Sequence, residues 1–320
     1  MFIEQSIRPE NKFWKYIVGL IMVVVASAIG QVPLLIAVIY KSMQDGNGMP
    51  MNELALMKTL DSNTTLFLLL LASAFAILGL HIVLKTIHKQ SFLSVVTSRK
   101  KTDWKRIFFS FTLWAVFSIV TVLATYIASP EDFVINFKVV PFLLLLIISI
   151  IMVPIQTSSE ELIFRGYLMQ GIGGLVHNRW LPLLLTSAIF GLLHIANPEV
   201  AEMGYIIMVY YIGTGLILGI MTLMDEGLEL ALGFHAANNL VGALLVTADW
   251  SVFQTHAIFR DISEPSAGVD IILPVVIVYP VLLFIFSKKY NWSDWKEKLT
   301  GTIVPNPLIT KEHETHQTHG

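Results

Sequence analysis

The stretch from Val139 to Leu168 reads VVPFLLLLIISIIMVPIQTSSEELIFRGYL. Up to Ile155 it holds a single polar side chain, Ser149, and has the character of a membrane helix; a crossing of ~30 Å of hydrocarbon needs roughly 20 such residues. Two glutamates and an arginine follow within ten residues of that run. A charge inside a membrane segment costs at least ~2.5–3.5 kcal/mol on insertion scales, so it is kept where it meets a partner or a hydrated cavity. The stretch therefore states both the class of fold and the place to look for chemistry.

The rest of the chain repeats the apolar pattern. Runs at about 14–40, 64–85, 107–128, 139–156, 181–196, 205–224, 230–248 and 270–287 predict an all-α, polytopic transmembrane helix bundle of about eight spans. Of the 320 residues, 55% are hydrophobic and 14% charged, where a soluble domain carries about 25% charged. A net charge of −2 gives no footprint for nucleic acid. There is no cysteine, which excludes disulfides, thiolate metal sites and cysteine nucleophiles. Partners are therefore sought at the lipid bilayer.

With eight spans and a cytoplasmic N-terminus, four of the 21 lysines and arginines (Lys41, Lys58, Lys138 and Arg260) fall outside and the other 17 inside. That bias predicts cytoplasmic N- and C-termini, and the compact length without eukaryotic targeting tails leads to the expectation of a bacterial plasma membrane. Ala26-Ser27-Ala28 looks like a signal-peptide cleavage site, but apolar residues run on to Tyr40, so the first span is expected to stay. The domain reading is 1–138, accessory helices with a basic loop; 139–248, a catalytic core; 249–290, an outer loop and last span; 291–320, a disordered cytoplasmic tail. The loop Ser98 to Arg106 is expected on anionic headgroups, with Trp104 as an anchor. The tail repeats histidine at 313, 316 and 319, which reads as solvated polar chain.

Polar residues gather in the second half. Glu161 and Arg165 are i,i+4, the favourable order for an ion pair, while Glu160 lies about 100° round the helix. In FGLLHIAN, Phe190 is one turn below His194, and Asn197 follows at i+3. In HAANN, His235 and Asn239 share a face. Glycines 166, 171, 173, 174 and 191 permit close helix approach. Ser158 and Ser159 are expected to cap the motif helix. A carboxylate with an imidazole can take a proton from water, and an imidazole with an amide can hold an oxyanion. The set Glu160, His194 and His235 equally matches the ligand list of a catalytic zinc, and both readings stand at this level. Straight helices put Glu160 and His235 near the cytoplasmic side and His194 about 20 Å deep; either the EExxxR helix dips past Pro154 or the FxxxH helix tilts. A cavity lined by these helices and open to the cytoplasm is expected.

EELIFRG, FGLLH and HAANN resemble the EExxxR, FxxxH and HxxxN motifs of the CAAX-protease and bacteriocin-processing family (CPBP, or Abi), across Val153 to about Val246. The resemblance implies an intramembrane endopeptidase acting on a peptide or protein substrate. Glu160 would activate water with His194, and His235 and Asn239 would form the oxyanion hole. Glu161, Arg165, Phe190 and Asn197 would support the site or position substrate. It also implies a glutamate mechanism without metal, with one divalent ion such as zinc on Glu160, His194 and His235 as the alternative. A non-catalytic membrane interaction protein, acting in bacteriocin immunity or on a signalling partner, is the competing function. HExxH, GxGD and serine-protease motifs are absent from the sequence.

Overall fold

The computed structural model describes residues 1–304 other than 9–10, 47, 49, 51–52 and 267. Its principal helices are α1 (Phe13–Gln44), α2 (Ser62–Thr86), α3 (Trp104–Ala128), α4 (Val139–Val176), α5 (Trp180–Leu192), α6 (Met208–Asp225), α7 (Glu229–Leu245) and α8 (Ile271–Tyr290). Among the described residues six helices are long and apolar enough to cross a membrane: α1 to α4, α6 with the turn preceding it, and α8. The other two expected spans are shorter, with α5 at 13 residues and α7 at 17. α5 stops although Leu193, Ile195 and Ala196 continue its apolar run. Beyond Leu192 the backbone tightens, with His194 N bonded to Gly191 O and Ile195 N to Leu192 O, and Asn197, before Pro198, is extended.

Local chemistry sets the helix starts. Asp61 accepts the main-chain N–H groups of Asn63 and Thr64 to open α2, and Asp103 accepts that of Lys105 to open α3. α4 does not start at the charged motif. It runs unbroken through Pro154 and through a π-helical turn, Leu162–Leu168, to Val176. Ser158 and Ser159 thus sit mid-helix, and Ser159 Oγ donates to the Gln156 carbonyl at 2.8 Å instead of capping a terminus. At ~1.5 Å per residue α4 is roughly 57 Å long, nearly twice the hydrocarbon thickness. This is the dip past Pro154 that the sequence left as one of two options.

α4 is the central helix, packed between α2 and α7; α1 lies on α2, α3 on α7 and α5 on α6. The largest core cluster joins Trp114 of α3, Leu218 and Met221 of α6, Phe234 of α7 and Phe286 of α8. α5 and α6 come close at Gly215, where a Cβ would lie 2.8 Å from the Ser187 carbonyl oxygen.

The connecting segments gather at two ends. At one end Leu228 N donates to Val96 O at 2.7 Å, Gln170 Nε2 donates to Ser94 O at 2.8 Å and to Phe2 O at 3.2 Å, and Arg179 pairs with Glu4 at 3.0 Å. Residues beyond α8 dock here as well. Trp295–Thr300 is helical, Ile303 is buried, and Ile303 N donates to His177 O at 2.9 Å. The expected disordered tail from 291 is corrected as far as 304, because its apolar residues are anchored in the bundle; the repeat of His313, His316 and His319 lies outside the described residues. Arg99 and Arg106 of the basic loop are committed too, pairing with Asp225, and Arg99 also with Glu229. Lys100, Lys101, Trp104 and Lys105 stay exposed. At the opposite end β1 (Phe133–Ile135), β2 (Val246–Ala248) and β3 (Phe259–Asp261) form a sheet in the order β1-β3-β2. β1 is antiparallel to β3, and β2 is parallel to it.

Candidate active site

The three motifs arrive on α4, α5 and α7 and line one cavity of about 540 Å³. Glu161 and Arg165 are both fully buried, and Arg165 Nη1 donates to Glu161 Oε1 at 3.0 Å. The second arm of the guanidinium donates to the Gly215 carbonyl at 3.0 Å, and its plane lies 4.3 Å from the centroid of Phe190. The same Glu161 Oε1 accepts His235 Nδ1 at 2.8 Å. One carboxylate is thus neutralised and used to orient an imidazole.

Its neighbour is arranged differently. Glu160 is partly exposed, with 26% of its side-chain surface accessible, and Oε2 faces His235 Nε2 at 3.6 Å. Its other oxygen accepts from Gln156 Nε2 one turn back along α4. Gln156 Oε1 in turn accepts Asn239 Nδ2 at 3.1 Å, and Asn238 Nδ2 donates to Asn239 Oδ1 at 3.1 Å. Asn238 is held by Trp114 Nε1 at 3.1 Å. A polar chain therefore joins the first glutamate of α4 to both asparagines of α7.

His194 lies two residues beyond the end of α5, and the broken helix fixes its ring. Its main-chain N–H goes to Gly191 O at 2.9 Å, so Nδ1 takes the Phe190 carbonyl at 2.8 Å, one of the carbonyls a helix end leaves unpaired. A neutral ring donating from Nδ1 carries its lone pair on Nε2. Tyr211 stacks on the imidazole at 4.5 Å and Phe190 tilts against it at 4.9 Å. Asn197 Nδ2 makes a long contact of 3.5 Å to Tyr211 Oη.

The predicted residues Glu160, Phe190, His194, Asn197, His235 and Asn239 all line the cavity, while Glu161 and Arg165 lie behind it, fully buried. The sequence reading left Gln156, Tyr210 and Tyr211 unassigned. Gln156 was findable as an amide four residues before Glu160 in an apolar helix; the tyrosines carried no such signal. The cavity is walled toward the sheet end by Glu199, Val246 and Ser251 to Phe253.

A metal fits this arrangement poorly. No group of three His, Asp or Glu side chains able to hold an ion occurs among the described residues. The metalloprotease reading is thus without support.

Fold and site together define a multi-pass helical membrane protein with a buried carboxylate, imidazole and carboxamide cluster. Residues 139–241 match the Type II CAAX prenyl endopeptidase Rce1-like family. The chain is also similar to the uncharacterized protein YyaK of Bacillus subtilis (strain 168), at 31% identity over 251 residues, covering 78% of this chain and 83% of that protein. No solved structure matches. The chain belongs to the Rce1-like CAAX protease family, which implies a protein substrate.

Proposed function

We propose that this protein is an intramembrane endopeptidase of a bacterial plasma membrane, crossing the bilayer eight times with both described ends of the chain cytoplasmic. The observation that carries the reading is Glu160 facing His235 at 3.6 Å across a cavity that His194 also lines. Glu160 and the Nε2 of His194 take the proton of a water that attacks the scissile carbonyl. The oxyanion is held by the Asn239 amide and by His235. The latter needs a proton on Nε2 while Nδ1 stays on Glu161. With that proton, Glu160 and Glu161 are balanced by Arg165 and His235. Glu160 then returns its proton to the leaving amine. The chemistry runs on side chains alone, and turnover is expected to survive chelation.

The test is cleavage of a fluorogenic peptide by purified protein. Glu160→Gln, which keeps the shape of the side chain and removes the base, is expected to abolish turnover. Retained turnover would remove Glu160 from the mechanism and return the chain to the non-catalytic reading.

A further inference from the structure

The polar chain that ends at Glu160 begins on α3, outside the residues 139–241 that match the family. Trp114 Nε1 donates to Asn238 Oδ1 at 3.1 Å, Asn238 Nδ2 to Asn239 Oδ1 at 3.1 Å and Asn239 Nδ2 to Gln156 Oε1 at 3.1 Å, and Gln156 Nε2 donates to Glu160 Oε1. Three carboxamides thus stand in series. A carboxamide can turn over about its last bond, exchanging donor and acceptor while keeping its shape. The two ends of the series cannot, because an indole N–H only donates and an ionised carboxylate only accepts. Starting from Trp114, Asn238 has to turn its oxygen to α3 and its nitrogen to Asn239, and the same choice passes on through Asn239 and Gln156. Starting from Glu160, the bonds come out in the same direction. Tyr210 Oη, a second donor to Asn238 Oδ1 at 3.4 Å, agrees with it.

The direction matters at Asn239, which lines the cavity. Its oxygen is occupied by Asn238, and its nitrogen carries two hydrogens, of which Gln156 takes one. The second is left for an oxyanion in the cavity; turned over, the group would present lone pairs to that negative charge. In the proposed reaction Glu160 gains a proton as the oxyanion forms. A carboxylic acid can donate as well as accept, so the Glu160 end no longer fixes the series at that moment. Trp114 has no such second state. Its ring is buried, with its centroid 4.3 Å from that of Phe234 on α7 and 5.0 Å from that of Phe117. α3 is itself pinned to α7: Ser110 Oγ donates to the Leu230 carbonyl at 2.7 Å, and a Cβ at Gly233 would run into the Ile107 carbonyl oxygen.

We infer that Trp114, from a helix outside the family match, is a positioning residue: its N–H holds the three amides in the direction that turns the Asn239 N–H, and not its C=O, to the cavity. The effect on turnover rests on the proteolytic reading. α3 is then part of the working site and more than an accessory span.

Peptide cleavage is measured for Trp114→Phe, which keeps an aromatic ring and loses the N–H, alone and combined with Asn238→Leu or with Asn239→Ala. Trp114→Phe alone is expected to lower kcat about tenfold with KM unchanged, and to cost nothing further once Asn238 or Asn239 has been replaced. No loss in the single variant, a change in KM alone, or the same loss in every background overturns the inference, since the ring would then act through its packing on Phe234. Thermal unfolding of the same proteins in detergent gives a second readout. The Tm loss from Trp114→Phe is expected to shrink or vanish in Asn238→Leu, and an equal loss in both backgrounds overturns the inference. Should the wild-type protein cleave no peptide, the proteolytic reading fails, and the Tm comparison still decides whether Trp114 acts on the amide series.

Discussion

Replacing Arg165 with methionine tests the strut behind the site most directly. The guanidinium is fully buried, holds Glu161 at 3.0 Å and Gly215 O at 3.0 Å, and covers Phe190 at 4.3 Å. Methionine roughly fills the stem's volume but leaves the Glu161 carboxylate buried with His235 as its remaining hydrogen-bond partner. Removing one member of a buried pair typically costs about 3–5 kcal/mol, most of it the stranded charge. The double variant Glu161→Gln/Arg165→Met strands no charge, and the glutamine carbonyl can still accept from His235, so it is expected to cost less than Arg165→Met alone. Unfolding in mixed micelles, followed by tryptophan fluorescence, gives the four corners of the cycle. A single-variant cost under about 1 kcal/mol, or a double variant equal to the sum of the singles, refutes the argument that the pair is coupled. Both variants are expected to lose turnover, since each disturbs the anchor of His235.

Asn239→Ala removes the proposed oxyanion donor and is expected to lower kcat by ~10²–10³-fold in the peptide assay. Gln156→Ala, which cuts the link from Glu160 to Asn239, is expected to lower kcat by up to ~100-fold with KM little changed; a change confined to KM would contradict a positioning role. His88, in the loop after α2, is held by Asn11 and Tyr167. Burial, and then the Lys15 ammonium, lowers its pKa from 6.5 to about 4. Because the folded value lies below the unfolded one, its contribution is complete above about pH 6.5 and is lost as pH falls toward about 4. His88→Asn should flatten that part of the thermal stability profile, and an unchanged profile would count against the reading. Asp225→Ala strips acceptors from Arg99, Arg106 and Trp292. A loss of about 1–3 kcal/mol and faster proteolysis near Trp295–Thr300 are expected; an unaltered digestion pattern would show that the cluster does not hold the tail.

The sequence was most legible where lipid makes polarity costly. Glu160, Glu161, Arg165, His194, His235 and Asn239 stood out because an apolar helix has few other reasons to hold them, and the i,i+4 spacing of Glu161 and Arg165 translated directly into the 3.0 Å pair. Gln156 stood in the same helix at the same spacing from Glu160, but a lone amide does not say which of two carboxylates it will serve. The end of α5 was hidden because Leu193 and Ile195 are as apolar as the helix before them. Pro198 fixes only the extended backbone of Asn197. The ordered stretch Trp295–Thr300 was missed for another reason: its lysines and glutamate read as solvated chain, whereas its anchoring depends on partners in α6 and near Arg179.

The short α5 explains why there is a cavity at all. Thirteen residues cover roughly 20 Å of a ~30 Å crossing, so a fully packed bundle would need something else to fill the remaining length. The chain from Leu193 to Ile207 covers part of it with turns and a short helix, Pro198–Met203, leaving space between α4, α6 and α7 that side chains do not occupy. The same truncation fixes the ring of His194. A continued helix would give the Phe190 carbonyl to the main chain of residue 194, and the histidine ring would have no bond to fix its tautomer. Because the helix ends, the ring takes that carbonyl through Nδ1 and leaves Nε2 as an acceptor. Replacing Pro198 with alanine removes the constraint that keeps Asn197 extended. If the helix then extends through residue 196, turnover should fall although no motif residue has changed.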